Sequence, residues 1–107
     1  MALKPWPLAS VEAGVATDLV VPTPSLEVAV IGLIVCNTDP AATADVVVTL
    51  TTADDTILAT ILMASLAPGE SIHIDTKVCI ASSDTPDKLR ARSNVAAVSF
   101  LASGDEG

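Results

Sequence analysis

The feature of this sequence that most constrains its fold is a repeated pattern: short segments in which apolar and polar residues alternate, separated by turn signals. The clearest example is LAPGESIHID at 66–75, where a Pro-Gly pair is followed by Ile72 and Ile74 at alternate positions. Pro-Gly suits the two central positions of a type II turn, and a period of two residues is typical of a half-buried strand. This stretch therefore predicts a turn followed by a β-strand.

Segments of the same kind recur along the chain and leave no strong helical pattern. We predict strands at 15–21, 26–36, 45–52, 56–63, 71–75, 78–81, 87–92 and 95–102. The run ILATILMASL could also form a short helix, but the flanking turn signals and β-branched residues favour a strand. About eight short strands at regular spacing predict an all-β fold, a single antiparallel β-sandwich of jelly-roll-like type.

Composition supports a small β-sheet domain with surface left over for a partner. The chain has 107 residues, half of them apolar, with one Phe, one Trp and no Tyr. The mean hydropathy of +0.60 is high for a domain of this size, and exposed apolar patches commonly mark protein contacts. We expect one β-sandwich domain at 15–107, preceded by an extended N-terminal arm at 1–14, and we expect the chain to form a homo-oligomer.

The predicted arm contains the only tryptophan, Trp6, between Pro5 and Pro7. Two prolines this close exclude a helix interior. Trp6 either folds back onto its own domain or anchors the arm on a neighbouring molecule, because tryptophan is enriched at interface hot spots. We treat Trp6 and Leu8 as candidate interface residues.

The second predicted strand, LEVAVIGLIVC, is apolar along nearly its whole length. In a two-layer sandwich one face of a strand should meet water, so a strand that is apolar on both faces indicates a covered outer face. Gly32 within the strand suggests a bulge or bend. We predict that the outer face carries the candidate contact residues, which are Ala29, Ile31, Leu33 and Val35.

Three basic residues alternate along another predicted strand, at Lys88, Arg90 and Arg92. One interpretation is an edge strand that its charges protect from aggregation. The other is a positive stripe that pairs with an acidic patch on a second copy or on a partner. We therefore include Arg90 and Arg92 among the candidate interface residues.

The charge and the apolar runs exclude two classes of partner. Five Lys and Arg against thirteen Asp and Glu give a net charge of −8, which argues against binding to a nucleic-acid backbone. The longest apolar run, at 28–36, is too short to cross a bilayer. The start MALKPWPLAS has no continuous apolar region, so we expect no secretory signal and no membrane partner.

Little in the sequence points to catalysis. His73 lies between Ser71 and Asp75 on one predicted strand face, but neighbours on a flat strand do not make a catalytic triad. Ser83, Asp84 and Asp87 share a loop and could bind Ca²⁺, but their spacing matches no EF-hand and carboxylates are common in loops. We expect no enzyme activity, no catalytic residue, no metal site and no cofactor.

The two cysteines do not form a recognisable motif. Cys36 and Cys79 each lie in an apolar run, and no C-x-x-C is present. Buried reduced thiols are the first interpretation, and a cross-strand disulfide is the alternative.

The order of several short motifs resembles a known group of proteins. The strand ending VCNT (35–38) is followed by LAPGES (66–71), by KLRARS (88–93) and by VSFLASG (98–104). This order resembles small, single-domain β-sandwich virion proteins of tailed bacteriophages, over about residues 33–104. The PTPS turn at 22–25 and the arm with Trp6 depart from the pattern of that group.

The resemblance implies a phage virion structural protein, most simply a capsid cement or decoration protein. Such a protein would stabilise the head by bridging capsid subunits, so the expected partner is the major capsid protein or another virion protein. The expected location is the virion, assembled in the host cytoplasm. The alternatives are a neck or tail component, and a receptor- or carbohydrate-binding module that would depend on Trp6 as an aromatic platform.

Overall fold

The structure is a computed structural model that describes residues 2–107, and it contains eight strands. Their bounds are β1 Ala2–Leu8, β2 Thr17–Val20, β3 Val28–Asn37, β4 Ala44–Thr51, β5 Ile57–Leu66, β6 Ser71–Ile80, β7 Lys88–Ser93 and β8 Val98–Glu106. Within residues 2–107 there is no helix of a length and apolarity that would cross a membrane.

The strands form two four-stranded antiparallel sheets. Sheet A has the order β1-β8-β3-β6, and sheet B has the order β2-β7-β4-β5. Valine and leucine side chains from both sheets join one hydrophobic cluster that also contains Phe100. Alternating strands with one apolar face bury that face by packing sheet on sheet. The predicted all-β sandwich is confirmed.

The pairing connects strands that lie progressively farther apart in the sequence. β4 pairs with β5, β3 with β6, β2 with β7 and β1 with β8. Further pairs, β3 with β8 and β4 with β7, complete the two sheets. The chain therefore follows the course of a long antiparallel ribbon that is wound across both sheets.

The segment predicted as an N-terminal arm is part of sheet A. All seven residues of β1 pair with β8, from Ala2 opposite Glu106 to Leu8 opposite Phe100. Pro5 and Pro7 occupy alternate positions of this edge strand, where the absent N–H groups can face solvent. The prediction of an arm separate from the sandwich is corrected for residues 2–8; residue 1 lies outside the described residues.

The predicted count of eight strands agrees with the structure, although one division was wrong. The segments predicted as strands at 71–75 and 78–81 form the single strand β6, and β1 supplies the missing member. The alternation predicted after the Pro-Gly turn holds along β6, with Ile72 and Ile74 half-buried and Ser71 and His73 exposed.

A bulge in β3 changes which of its side chains face the core. Val30 pairs with Gly104 of β8, and Gly32 pairs with the next residue, Ser103, so Ile31 is an extra residue in β3. Because the side-chain period of a strand is two, one extra residue exchanges the two faces. Before the bulge the even-numbered residues of β3 are buried, and after it the odd-numbered residues are buried.

The bulge requires glycine on the neighbouring strand. A Cβ atom at Gly104 would overlap the carbonyl oxygen of Ala29 and lie 2.9 Å from Cα of Val30. The β3 backbone thus occupies the space that a side chain at Gly104 would need. This close approach explains a glycine in the interior of β8.

Asn37, at the end of β3, is a fully buried polar residue. Its Nδ2 donates hydrogen bonds to the carbonyl oxygens of Ala42 at 2.8 Å and Leu66 at 3.0 Å. Its Oδ1 accepts a hydrogen bond from the N–H of Asp39 at 3.0 Å. The amide therefore ties the turn after β3 to the end of β5, and its polar atoms are satisfied as burial requires.

The backbone of Asn37 also holds the Pro-Gly turn. The Gly69 N–H donates to the Asn37 carbonyl at 2.9 Å, and the Asn37 N–H donates to the Glu70 carbonyl at 2.9 Å. Gly69 has a φ of +78°, a conformation that glycine adopts readily. The VCNT and LAPGES motifs, far apart in the sequence, thus meet at one end of the sandwich.

We predict that Gly104→Ala destabilises the protein by about 3 kcal/mol or more, because the methyl group would displace the β3 backbone. Gly32→Ala is the matched control: its Cβ would lie 3.2 Å from the Ser103 hydroxyl, which can rotate away, and at an ordinary contact distance of 4.0 Å from the Ile74 carbonyl oxygen. We expect a cost below about 1 kcal/mol for the control. Urea unfolding followed by Trp6 fluorescence measures both, and equal losses would contradict the explanation.

We predict that Asn37→Asp costs about 3 kcal/mol or more, since a carboxylate would face the two carbonyl oxygens that the amide now satisfies. Asn94→Asp is the control. Asn94 is exposed, and within residues 2–107 its side chain makes a hydrogen bond only through Oδ1, which accepts from the Asp45 N–H at 2.7 Å. A carboxylate keeps that acceptor, so a small change in the free energy of unfolding is expected. Similar losses in both variants would exclude a special role for Asn37.

Candidate interaction surfaces

The outer face of sheet A presents a group of solvent-exposed apolar side chains. Leu3 is 81% exposed, Ile31 47% and Ile34 38%. The sheet register places Leu101 beside Ile34, and Ala29 lies on the same side. We call Leu3, Ala29, Ile31, Ile34 and Leu101 the apolar outer face.

The apolar outer face contains only part of the predicted set. Ala29 and Ile31 lie on it, but Leu33 and Val35 are buried in the core, with exposures of 1% and 0%. The bulge at Ile31 is the reason, because the alternation predicted from Ala29 onward changes phase at that residue. Ile34 replaces Leu33 and Val35 as the exposed residue on this part of β3.

Trp6 is folded back into its own domain. Its side chain is 7% exposed and belongs to the hydrophobic core, and Leu8 packs against the same core. Lys4 lies over the Trp6 ring, with Nζ 5.6 Å from the ring centroid. Within residues 2–107 the indole Nε1 has no hydrogen-bond partner. Of the two alternatives for Trp6, the structure supports the one in which it folds back onto its own domain, and the anchor on a neighbouring molecule is wrong.

The basic strand β7 does not lie at a sheet edge. It lies between β2 and β4, so the interpretation of Lys88, Arg90 and Arg92 as protection of an edge is wrong. Nζ of Lys88 lies 3.1 Å from Asp18 Oδ1 and 2.8 Å from Asp55 Oδ1. Lys88 therefore forms ion pairs within the fold.

Arg90 links the same carboxylates to the start of β2. Its Nε donates to Asp18 Oδ1 at 2.9 Å, and its Nη2 donates to the Ala16 carbonyl at 2.9 Å. Its Nη1 lies 3.5 Å from Asp55 Oδ1. This cluster joins β2, β7 and the turn between β4 and β5, so it serves the fold first. Arg92 is exposed, and within residues 2–107 it forms no ion pair.

The cluster changes the ionisation of Asp55 and Lys88. A hydrogen bond from Lys88, with the charge of Arg90 nearby, lowers the pKa of the Asp55 carboxyl below its ordinary value. The same hydrogen bond raises the pKa of Lys88 above its ordinary value. Asp55 has a φ of +69°, so the cluster also holds a turn residue in the left-handed region.

Sheet B has apolar exposure of its own along β5. Ile57, Leu58 and Met63 are 64%, 52% and 74% exposed, and no charged residue occurs between Asp55 and Glu70. β5 is an edge strand whose pairing with β4 is interrupted by two register shifts. This uncharged strand edge was predicted as a strand but not as a surface feature.

The polar residues considered for chemistry remain separate in the structure. His73, Ser71 and Asp75 are exposed along β6, one after another on its outer side. Asp84 accepts a hydrogen bond from Ser25 Oγ at 3.2 Å, which ties its loop to the turn before β3. Among residues 2–107, no group of three or more His, Cys, Asp or Glu side chains could hold a metal ion.

The two cysteines are free and far apart. Cys36 is half-buried and pairs with Ser71, whereas Cys79 is exposed and pairs with Ala29 at the other end of β3. Cys79 lies eight positions after Ser71 along β6, so the two are about 26 Å apart. A disulfide needs Cα atoms within about 7 Å, so the alternative of an intramolecular disulfide is wrong.

Sequence reasoning missed Leu3 and Ile34 as exposed apolar residues. Leu3 was assigned to an arm outside the domain, and Ile34 was assigned to the inner side of β3. Gly32 was a usable signal for the bulge in β3, but it did not show where the extra residue lies or that the phase changes.

Comparisons with protein-family models, with curated proteins and with solved structures find no match to this chain.

We predict that Asp55→Asn lowers stability at neutral pH and that the deficit disappears in acid. The pKa of Asp55 is lowered in the folded state, so the stabilisation is complete above about pH 4 and is lost as pH falls through the lowered pKa. Asparagine tolerates the left-handed conformation of this turn, so backbone strain should not change. Thermal unfolding of both proteins from about pH 2 to 7 measures the difference.

Asp54→Asn is the control for that experiment, because it removes the same charge from the same turn. Within residues 2–107 Asp54 forms no ion pair. We expect its effect to be smaller at every pH. A deficit of Asp55→Asn that persists unchanged at the lowest pH would contradict the ion-pair explanation.

Proposed function

We propose that the protein is a structural component of a tailed-phage virion, most simply a cement or decoration protein that bridges capsid subunits. Its partner would be the major capsid protein or another virion protein, and its location the assembled particle. The sequence resemblance over residues 33–104 supports this proposal, and its VCNT and LAPGES motifs are in contact in the fold.

We also infer that the sandwich is a jelly roll, as the resemblance implies. The strand orders β1-β8-β3-β6 and β2-β7-β4-β5 support this inference, because each strand of the first half of the chain pairs with its counterpart in the second half. Eight-stranded, two-sheet jelly rolls are common in viral coat proteins.

The apolar outer face is the single observation that carries the adhesive function. Leu3, Ile31 and Ile34 are large apolar side chains left in water on one side of sheet A. A partner that covers these side chains removes apolar area from water. Binding is then favoured by about 25 cal/mol for each Å² of apolar area that is covered. Contacts repeated over a symmetric shell would add through avidity.

Two alternatives differ in what they require. A neck or tail component would use the same surface at a low, fixed copy number. A carbohydrate-binding module would need an exposed aromatic platform, and Trp6 is buried in the core, so no observation favours that alternative.

The decisive experiment is to count copies in purified particles of the phage that encodes the chain. Quantitative mass spectrometry against the major capsid protein should give hundreds of copies per particle for a cement protein. A small fixed number would favour a neck or tail component. Absence of the chain from purified particles would overturn the proposal.

We predict that Ile31→Glu/Ile34→Glu reduces binding to shells that lack the protein by about tenfold or more, since two carboxylates would have to be buried at the contact. Leu58→Glu/Met63→Glu adds the same charge to exposed apolar positions of sheet B and should bind as the unchanged protein does. Co-sedimentation with the shells measures the bound copies, and circular dichroism verifies folding. Equal binding by both variants would assign adhesion to another surface.

A further inference from the structure

The four sheet edges differ in how well they are protected against pairing. β1 carries Pro5 and Pro7, and β2 has only four residues. β5 pairs irregularly with its neighbour, at two register shifts. β6 has ten residues, no proline, a free edge beyond β3, and a single register shift against β3. An unprotected strand edge presents N–H and C=O groups to another strand.

The side chains of β6 alternate without interruption. Its odd-numbered residues are exposed, and its even-numbered residues are half-buried or buried from Ile72 to Ile80. The register shift against β3 at Thr76 and Lys77 does not disturb this alternation. Asp75 and Lys77 lie next to each other on the exposed side, and within residues 2–107 neither forms an ion pair.

We propose that β6 pairs antiparallel with β6 of a second copy of this chain, with Thr76 on the twofold axis. In this register Asp75 of each copy lies directly opposite Lys77 of the other. Residues that are directly opposite in an antiparallel pair have Cβ atoms about 5 Å apart, so two ion pairs form across the axis. Asp75 and Lys77 are opposite in charge, so a second copy of this chain supplies a complementary charge for each of them. We therefore take a second copy as the partner of the β6 edge.

The rest of the strand fits the same register. On the inner side Ile74 lies opposite Val78, and Ile72 lies opposite Ile80, so apolar residues face apolar residues. A shift of the register by two residues places Asp75 opposite Asp75 or Lys77 opposite Lys77, and like charges directly opposite each other are unfavourable. A shift by one residue sets exposed side chains opposite buried ones. One register is therefore favoured over its neighbours.

The dimer would join the two copies of sheet A into one eight-stranded sheet. The twofold axis would be perpendicular to that sheet, so both apolar outer faces would lie on the same side. This inference rests on the self-association part of the proposed function and specifies the surface that it uses. The apolar outer face then remains free for the other partner.

β5 is the competing edge, and its chemistry is different. Residues 56–69 contain no charge, so β5 offers apolar contact but nothing that specifies a register or a partner. Met63→Lys places a charge at the centre of that edge and thereby tests it separately.

The test is a charge exchange on the purified full chain, with sedimentation velocity at about 1 to 100 μM, the range expected for a small interface. We expect a dimer for the unchanged protein. Asp75→Lys or Lys77→Asp alone should weaken it about tenfold or more, because two attractive pairs become repulsive. The double variant Asp75→Lys/Lys77→Asp should restore it, and Met63→Lys should leave it unchanged.

Crosslinking tests the register itself. His73 of one copy lies opposite Cys79 of the other, and facing Cα atoms in an antiparallel pair are close enough for a disulfide. His73→Cys should give a covalent dimer on non-reducing gels after mild oxidation. Ser71→Cys, which faces Ala81, should give much less in a Cys36→Ser background; the background change is needed because Cys36 pairs with Ser71 within the chain. Equal crosslinking by both variants would refute the register.

The remaining outcomes also decide the question. An unchanged protein that is monomeric at the highest concentration would overturn the inference, as would a dimer that ignores the charge exchange or one that Met63→Lys abolishes. Failure to bind phage shells, together with the expected charge-exchange result, would overturn only the proposed function. A monomer that still binds shells would overturn only the inference.

Discussion

The extra residue Ile31 in β3 is the constraint on which the exposed surface of this protein depends. β3 is one of the two inner strands of sheet A and pairs with both β8 and β6, so a change of phase within it affects the outer face on either side. The bulge sends Ile31 and Ile34 outward and places Leu33 and Val35 in the core. It also brings the β3 backbone against β8, and only glycine fits at position 104. A single backbone irregularity thus determines both the packing of the core and the surface available to a partner.

Polar interactions organise the ends of the sandwich. Asn37 satisfies two carbonyl groups and one N–H group at one end, where two turns meet. The Thr23 N–H and Lys4 both donate hydrogen bonds to Glu106 at the other end, and these bonds lower the pKa of the Glu106 carboxyl. In sheet B, Lys88 and Arg90 bind Asp18 and Asp55. With few aromatic residues in the core, such ties fix the turns that the valine-rich strands alone would leave undefined.

The sequence was sufficient for the fold class, because alternation and turn signals report directly on strands that are half-buried. It was insufficient where the outcome depended on a neighbouring strand. Pro5 and Pro7 were interpreted as marks of an arm, yet an edge strand accepts prolines at alternate positions. Gly32 indicated a bulge, but the phase change follows only from the register against Gly104. One of the two interpretations of the basic residues of β7 placed them at an edge, and it was wrong because the order of strands in a sheet is not a local property of the sequence.

The wound course of the chain has a consequence for how the molecule folds. Among the eight strands of residues 2–107, only β4 and β5 are consecutive in the sequence and also paired, across the turn at Thr52–Thr56. Every later pair closes a longer loop, and the closure of long loops slows the folding of β proteins. We expect the β4–β5 hairpin to nucleate folding and the pairing of β1 with β8 to come last. Until β1 pairs with β8, one edge of β8 has unpaired N–H and C=O groups that another strand could bind. Nascent chains are therefore most prone to incorrect strand pairing during this final step.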